Sequence, residues 1–207
     1  MSWIKFCGIT NIEDALIACN LQVNAIGFIF AQSPRRVTCE LAKSIIEKLP
    51  QNILKVGVFV NEDENEVKKV ANYCRLDMLQ FHGSESPDYC LRFSLPVIKA
   101  FRIKDFGDLC EIKNYKNVLI LLDTYNPSKV GGKGETFSQD IAIKAKGLFN
   151  FILSGGLNPL NVGKAIRIIR PFGVDVCSGI EKAPGKKDIT KMIDFISEVK
   201  KAYEETG

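Results

Sequence analysis

The stretch ILKVGVFV at residues 53–60 contains one lysine and is otherwise apolar or glycine. Farther along the chain, VLILL at residues 118–122 contains no polar residue at all. A strand with one face in water alternates apolar and polar residues, whereas the strands of a parallel sheet are covered on both faces and are continuously apolar. These two stretches therefore predict buried parallel strands.

Short apolar runs of this kind recur along the whole chain, separated by stretches with helical periodicity. Residues that cap helices open several of these stretches, among them Asn11, Thr38 and the pair Asn158–Pro159. The predicted strands are residues 3–7, 25–30, 53–60, 76–81, 97–101, 118–123, 149–153 and 173–177. Eight such units predict an α/β fold, a single (β/α)8 TIM barrel with a parallel eight-stranded core over residues 1–207.

An open doubly wound sheet is the alternative α/β architecture. In its dinucleotide-binding form the first strand is followed by G-x-G-x-x-G, but residues 8–13 here read GITNIE. Eight nearly equal units also close naturally into a barrel. We therefore favour the barrel and expect no cofactor.

Composition and charge narrow the classes of function. Basic residues outnumber acidic ones by 28 to 24, and this net charge of +4 is mild beside the basic patches of nucleic-acid-binding proteins. No apolar run approaches the roughly 20 residues that cross a bilayer. The seven cysteines form no C-x-x-C pair and the one histidine is His82, which argues against a disulfide framework and a multi-histidine metal site. We predict a cytoplasmic protein that binds no nucleic acid, membrane or metal.

Two reactive side chains fall at the carboxyl ends of predicted strands, where TIM barrels carry their active sites. Cys7 ends strand 1, and nearby cations would ionise it more readily than an ordinary thiol, whose pKa is about 8.5. Asp123 ends the aliphatic strand VLILLD, and partial burial would keep such a carboxyl protonated for use as a general acid. The alternatives are a buried structural cysteine and a loop-capping aspartate. If both groups are functional, they face each other across the barrel mouth.

Four further residues lie at or just after strand ends. Arg35 and Arg36 follow strand 2, and a guanidinium matches a carboxylate with two parallel hydrogen bonds, so one of them could hold an acidic substrate. The alternative is a pair of solvated surface arginines. Asp175 in strand 8 and His82 after strand 4 complete the set, although a lone histidine is more often structural.

Glycine-rich loops follow predicted strands 7 and 8. SGGLNP at residues 154–159 contains Gly155 and Gly156, and CSG at residues 177–179 contains Ser178 and Gly179. Glycines let backbone N–H groups approach an anion closely, and a following helix N-terminus adds a favourable dipole. Phosphate bound by the loops after strands 7 and 8 recurs in TIM barrels. We predict these four residues as phosphate-binding residues, with ordinary glycine turns as the alternative.

Taken together, these segments resemble the phosphoribosylanthranilate isomerase family. The matching blocks follow the family's order over nearly the full chain: KFCGIT (5–10), GFIFAQSPRRV (27–37), VGVFVNE (56–62), LQFHG (79–83), LLDT (121–124), GGKGETF (131–137), LSGGLNP (153–159) and VDVCSGIE (174–181). The resemblance implies a TIM barrel. It also implies the tryptophan-biosynthetic Amadori rearrangement of N-(5'-phosphoribosyl)anthranilate to 1-(o-carboxyphenylamino)-1-deoxyribulose 5-phosphate.

The resemblance also assigns roles to residues. Cys7 matches the general base and Asp123 the general acid, while Arg35 matches the residue that meets the anthranilate carboxylate. His82 and Asp175 match positions that line the pocket, and the SGG and CSG segments match the phosphate loops. The expected partner is the small phosphosugar–anthranilate substrate, and the chain is expected to be a monomer or a homodimer.

Two positions depart from the family pattern and receive no role. Arg36 falls where tyrosine is frequent, and Cys177 falls where a small hydroxyl residue is common. Other phosphosugar barrels are weaker alternatives. An indole-glycerol-phosphate synthase would carry lysine and glutamate at its strand ends, and a histidine-pathway isomerase would carry paired aspartates. A barrel that has lost catalysis and only binds phosphate ligands is the alternative outside enzymes.

Overall fold

The computed structural model describes residues 3–103, 107–123 and 142–206, and the glycine-rich block at residues 131–137 lies outside them. Parallel strands close into an eight-stranded barrel in chain order, with the first paired to the eighth. The strands are β1 (Trp3–Phe6), β2 (Ala25–Ile29), β3 (Leu54–Phe59), β4 (Met78–Phe81), β5 (Val97–Arg102), β6 (Leu119–Asp123), β7 (Phe151–Ser154) and β8 (Gly173–Val176). The predicted fold class is confirmed, and every predicted strand overlaps an observed one.

Helices alternate with these strands and cover the outside of the barrel. The side chain of Asn11 accepts a hydrogen bond from Asp14 N, and that of Thr38 accepts one from Leu41 N, so both residues cap helices as predicted. The helices are α1 (Ile12–Asn20), α2 (Cys39–Ile46), α3 (Glu64–Cys74), α4 (Pro87–Cys90), α5 (Asp108–Ile112), a helical segment at 142–146, α6 (Val162–Ile169) and α7 (Ile189–Glu204).

The helix after β7 begins later than the sequence pattern indicates. The prediction that Asn158 and Pro159 open it is wrong, because α6 begins at Val162. Asn158 instead forms a turn, in which its Oδ1 accepts from Leu160 N and its carbonyl accepts from Asn161 N. The glycine loop is therefore separated from the helix N-terminus by this turn.

The two faces of the strands build two separate cores. Inside the barrel a small cluster packs below the mouth and includes Ala25, Val56, Ile98, Leu121 and Ile152. Outside the barrel a larger cluster lies between strands and helices and includes Phe6, Phe28, Phe59, Phe81 and Phe151. Continuous apolar strands follow from this arrangement, because both faces are buried.

The segment after β8 folds back over the barrel mouth. It comprises a 3-10 helix (Ser178–Ile180) and a small antiparallel pair, β9 (Glu181–Ala183) and β10 (Lys186–Lys187). Lys187 is fixed to α1, because its backbone N–H donates to Asp14 Oδ2 at 2.8 Å. Its side chain is thereby brought to the end of β1. Within the described ranges, no helix has the length and apolar character needed to cross a bilayer.

Gly173 closes the barrel where β8 meets β1. It pairs with Trp3 in the register, and a Cβ on Gly173 would lie 2.9 Å from Trp3 Cβ and 2.5 Å from its carbonyl oxygen. Real Cβ atoms do not approach backbone so closely, and therefore any larger residue must push the two strands apart.

Gly173→Ala is expected to lower the free energy of unfolding by about 1–3 kcal/mol, because β1 and β8 cannot separate without weakening closure. Gly147→Ala is the matched control, since its added Cβ would have Lys144 O as its closest neighbour at 3.5 Å, an ordinary contact. Urea unfolding of the two variants measures the difference. Equal stability of the two would contradict this account of closure.

Candidate active site

A cavity of about 260 Å3 opens at the carboxyl ends of the strands. Its walls combine seven of the predicted site residues with a second thiol, a carboxamide and apolar side chains. The lining residues are Cys7, Ile29, Val58, Gln80, His82, Asp123, Ser154, Gly155, Gly156, Leu157, Asp175, Val176, Cys177 and Ser178. Cys7 follows β1 and Asp123 ends β6, three strands away around the barrel. The thiol and the carboxylate therefore belong to well-separated walls of one cavity, as predicted.

Strand alternation explains why these side chains meet. On β1, Trp3 packs in the inner cluster, so every second residue, Lys5 and then Cys7, also faces inward. By the same alternation, the side chains of Gln80 and His82, in and just after β4, face the inside of the barrel. Polar residues spaced two apart near strand ends thus converge on the mouth.

Cys7 lies in a field that favours its thiolate. Its backbone N–H donates to Val176 O at 2.8 Å, which fixes the residue against β8. A hydrogen bond from the Cys177 thiol lowers the pKa of Cys7 to about 6, and the ammonium groups of Lys5 and Lys187 add to this against the opposing effect of burial. At neutral pH the Cys7 sulfur is therefore mostly ionised.

Lys187 joins the ends of β1 and β8. Its buried Nζ donates to Cys7 O at 2.6 Å and to Cys177 O at 3.0 Å, and it lies 3.1 Å from Glu181 Oε1 and 3.9 Å from Cys177 Sγ. The hydrogen bond to the Cys7 anion and burial raise the pKa of Cys177, so its thiol keeps the proton that it donates. Of the two sulfurs, Cys177 therefore keeps its proton and Cys7 loses its own.

Lys5 is a fully buried cation beneath Cys7. Its Nζ lies 2.6 Å from Asp175 Oδ1, and Ser154 Oγ donates to Asp175 Oδ2 at 3.0 Å. Burial works to lower the pKa of Lys5, but the charges of Asp175 and Cys7 outweigh it and raise the pKa above its ordinary value. Asp175, predicted as a substrate-binding residue, therefore has both oxygens occupied by protein groups while it lines the cavity.

His82 connects Gln80 to Asp123. Gln80 Nε2 lies 3.2 Å from His82 Nδ1, and His82 Nε2 lies 3.4 Å from Asp123 Oδ2. With the Gln80 amide donating to Nδ1, the ring proton sits on Nε2 and points at Asp123. Gln80 Oε1 is the one buried side-chain N or O atom of the described residues without a hydrogen-bond partner. It lies in a residue that lines the cavity, and an unpaired buried acceptor is costly.

Arg35 lies beside the rim and is held there by Glu181. Its Nε donates to Glu181 Oε1 at 2.8 Å and its Nη2 to Oε2 at 2.6 Å, a two-point contact that fixes the plane of the guanidinium. The stem passes directly over the residue after Cys7, since a Cβ on Gly8 would lie 2.9 Å from Arg35 Cδ. Arg35 does not itself line the cavity, whereas Arg36 lies along a separate groove with Phe30 and Glu62.

The two glycine loops meet at one end of the cavity. Gly155 and Gly156 have φ angles of +92° and +65°, a conformation that favours glycine. Asn161 Nδ2 donates to Gly156 O at 3.1 Å and holds this loop. Gly179 packs directly under the Leu157 carbonyl, with no room for a Cβ. The structure therefore brings together all four residues predicted to bind phosphate. Within the described part of the chain, no group of three or more His, Cys, Asp or Glu residues could hold a metal ion.

Sequence reasoning missed several residues of this site. Lys5 precedes Cys7 by two positions, a signal that strand alternation makes usable, and Gln80, a strand-end residue two positions before His82, received no role. Lys187 and Glu181 are contributed by the segment after β8, and no local pattern announces that they return to the mouth. Cys177 stands next to a predicted residue but received no role.

Comparison with known proteins agrees with this geometry. The family model described as N-(5'phosphoribosyl)anthranilate (PRA) isomerase matches residues 4–198. The N-(5'-phosphoribosyl)anthranilate isomerase of Geobacter sulfurreducens is 46% identical over 95% of this chain and 98% of its own. That of Pelobacter propionicus is 45% identical over 98% of each chain.

Solved structures give the same result. The phosphoribosyl anthranilate isomerase of Thermotoga maritima superposes with a TM-score of 0.89 at 41% identity, covering 97% of this chain and 100% of that one. A second solved enzyme of this name, in complex with reduced 1-(o-carboxyphenylamino)-1-deoxyribulose 5-phosphate, gives a TM-score of 0.87 at 38% identity with the same coverage. The Thermotoga maritima enzyme is also known as a dimer from which monomers have been generated. The chain belongs to the N-(5'-phosphoribosyl)anthranilate isomerase family.

Proposed function

We propose that this barrel converts N-(5'-phosphoribosyl)anthranilate to 1-(o-carboxyphenylamino)-1-deoxyribulose 5-phosphate, with Cys7 as general base and Asp123 as general acid. The observation that carries the proposal is that both groups line one cavity, next to glycine loops suited to a phosphate. The reaction is an Amadori rearrangement and belongs to tryptophan biosynthesis. It moves protons and needs no hydride transfer.

Asp123 begins the reaction by giving a proton to the furanose ring oxygen. The bond between this oxygen and C1 breaks, and the lone pair of the anthranilate nitrogen forms the C1=N bond of a Schiff base. His82 Nε2, 3.4 Å from Asp123 Oδ2, is suited to hold the carboxyl group in place and to stabilise the carboxylate left behind. We assign His82 this positioning role in addition to lining the pocket.

The Cys7 thiolate then removes the proton from C2 of the open sugar. The electrons of the C2–H bond form a C1=C2 double bond, and those of the C=N bond return to nitrogen. The resulting enolamine takes up a proton at C1 and releases one from the C2 hydroxyl, which gives the ketone. A thiolate is available at neutral pH because Cys177, Lys5 and Lys187 lower the pKa of Cys7.

Binding of the two ends of the substrate supplies the positioning. We assign the phosphate to the backbone amides around Gly155, Gly156, Ser178 and Gly179. Among the described residues that line the cavity there is no lysine or arginine, so backbone amides are the donors available to the phosphate. Phosphate bound far from the reacting carbons holds C1 and C2 between base and acid. Gln80 Oε1, buried and without a partner, is suited to accept a hydrogen bond from a sugar hydroxyl.

The anthranilate carboxylate is assigned to Arg35, which lies beside the rim near the end of β1. Glu181 uses Nε and Nη2 of the guanidinium, so the arginine is held rigid before substrate arrives. Asp175 contributes by fixing Lys5 under the thiolate and by lining the sugar site.

We further propose that residues 1–207 form one domain, that it works in the cytoplasm, and that it is a monomer or a homodimer without nucleic-acid or membrane partners. The dimer of the Thermotoga maritima relative supports the second of the two oligomeric states for a chain of this family. Sedimentation of the purified chain over a range of concentrations distinguishes the two.

Cys7→Ala and Asp123→Asn are each expected to lower kcat by about 10²- to 10⁴-fold, because each removes one proton-transfer group. Affinity for a product analogue is expected to change little, since phosphate and carboxylate contacts remain. The measurement is the fluorescence decay of freshly made phosphoribosylanthranilate. Substantial turnover by either variant would remove that residue from its role, and inactivity of the native chain that still binds the analogue would favour a barrel that only binds phosphate ligands.

The kcat/KM of the native chain is expected to fall as the pH drops through about 6, because the reaction requires the deprotonated form of Cys7. Cys177→Ala removes the hydrogen bond that contributes most to the low pKa, so the loss of activity is expected to begin at a higher pH. Cys19→Ala, on the outer helix α1, is the control and is expected to leave the profile in place. A profile that does not move in Cys177→Ala would show that its thiol does not stabilise the anion.

Arg35→Lys keeps the charge but loses the planar fork, so KM is expected to rise at least tenfold while kcat changes less. The check is to compare binding of two product analogues, one with and one without the aromatic carboxylate. If Arg35→Lys weakens both analogues equally, the arginine does not hold the carboxylate.

A further inference from the structure

The end of β1 and the end of β8 bring two thiols side by side. Phe6 pairs with Val176 in the register, so Cys7 and Cys177 are the next residues on adjacent parallel strands. Neighbouring strands lie about 4.8 Å apart. That separation falls within the range of about 4.4–6.8 Å between the Cα atoms of disulfide-bonded cysteines. The register therefore places the two cysteines at neighbouring positions whose general spacing suits a disulfide.

Both side chains also point the same way. Cys7 and Cys177 line the cavity together, and the Cys177 sulfur lies against the residue after Cys7, since a Cβ on Gly8 would be 2.8 Å from it. The same ammonium group, Lys187 Nζ, contacts the carbonyl oxygens of both residues and holds the two strand ends together. The two thiols therefore already face the same space in the reduced protein.

We propose that Cys7 and Cys177 form a reversible disulfide when the protein meets a hydroperoxide, and that this modification withdraws the base of the reaction proposed above. In the proposed isomerisation Cys177 exchanges no proton with the substrate, and its role there is limited to stabilising the Cys7 anion. The proposal concerns the covalent chemistry of the pair and does not depend on which substrate the cavity binds. Its effect on turnover does rest on the proposed function.

The chemistry proceeds in two balanced steps. The Cys7 thiolate attacks one oxygen of the hydroperoxide, the O–O bond breaks, Cys7 becomes a sulfenic acid, and an alkoxide or hydroxide leaves and takes up a proton. The Cys177 sulfur then attacks the Cys7 sulfur, the S–OH bond breaks, and water leaves as the disulfide forms. Two electrons pass from the two sulfurs to the peroxide.

The charged groups around the two cysteines favour both steps of this oxidation. The cations that stabilise the Cys7 anion make it the sulfur that reacts first, because thiolates rather than thiols attack peroxides. In the reduced protein, the Cys7 anion keeps Cys177 protonated. Oxidation of Cys7 to the neutral sulfenic acid removes that negative charge, and Lys187 and Arg35 then act to lower the pKa of Cys177. The first step thus activates the sulfur required for the second.

The chain contains a second pair of neighbouring cysteines that serves as an internal comparison. Cys74 Sγ donates to Cys39 O at 3.5 Å. Burial and the neighbouring Cys39 raise the pKa of Cys74 to about 12. Lys43 acts to lower the pKa of Cys74, but burial and Cys39 outweigh it, and among the described residues no ammonium group contacts both cysteines as Lys187 contacts the first pair. Proximity alone is therefore expected to be insufficient for rapid disulfide formation.

The test exposes the purified full chain to hydrogen peroxide at neutral pH, alkylates the remaining free thiols, and identifies cross-linked peptides by mass spectrometry. The Cys7–Cys177 disulfide is expected to form at least tenfold faster than one between Cys39 and Cys74, and dithiothreitol is expected to reverse it. Cys177→Ser is expected to leave Cys7 without a partner, so that sulfinic acid accumulates there and dithiothreitol no longer restores the thiol.

Formation of both disulfides at the same rate would overturn the proposal, and so would sulfinic acid at Cys7 in the native chain without a disulfide. These readouts use the native chain alone, so they hold even if Cys177→Ser fails to fold. They also do not require turnover. A disulfide in a chain that lacks isomerase activity would therefore refute the proposed function but not the modification, while an active chain without the disulfide would refute the modification alone.

Discussion

The structure of the site depends on one constraint, which is that a buried sulfur must carry a negative charge at neutral pH. Burying an anion is unfavourable unless cations and hydrogen-bond donors replace the water that it loses. Here Lys5 and Lys187 supply the charge and Cys177 supplies the donor. Each of the two cations also has a carboxylate partner, Asp175 for Lys5 and Glu181 for Lys187.

The charges form a balanced set. Lys5 pairs with Asp175, and Glu181 pairs with both Arg35 and Lys187. Three cations thus face two carboxylates, and the Cys7 anion supplies the third negative charge. Although burial works to raise the pKa of Glu181, Arg35 and Lys187 lower it, so the carboxylate remains charged in this set. A neutral thiol at Cys7 would leave one buried cation without a counter-charge, which is costly. The surroundings therefore favour the state of Cys7 that the proposed reaction needs.

Much of this could be predicted from the sequence. Continuous apolar strands gave the barrel, and the position of Cys7 and Asp123 after such strands placed them at its mouth, because strand ends converge in a closed sheet. The glycine loops were found for the same reason.

The start of α6 was missed because Asn158 and Pro159 are as suitable for a turn as for a helix start. The buried lysines around Cys7 were also missed. Lys187 lies far from Cys7 in the chain and reaches it only because β9 and β10 fold back, which depends on packing over the mouth. Arg35 was correctly expected near the rim, but its contact with Glu181 joins two distant segments and has no local signal.

The most direct measurement of the central claim is the rate at which iodoacetamide alkylates Cys7 as a function of pH, followed by mass spectrometry of the peptide that contains it. Because only the thiolate reacts, the rate rises as the group ionises. The account predicts a midpoint near pH 6. A midpoint at or above about 8.5, the value of an ordinary thiol, would show that the surrounding charges do not stabilise the anion and would contradict the account.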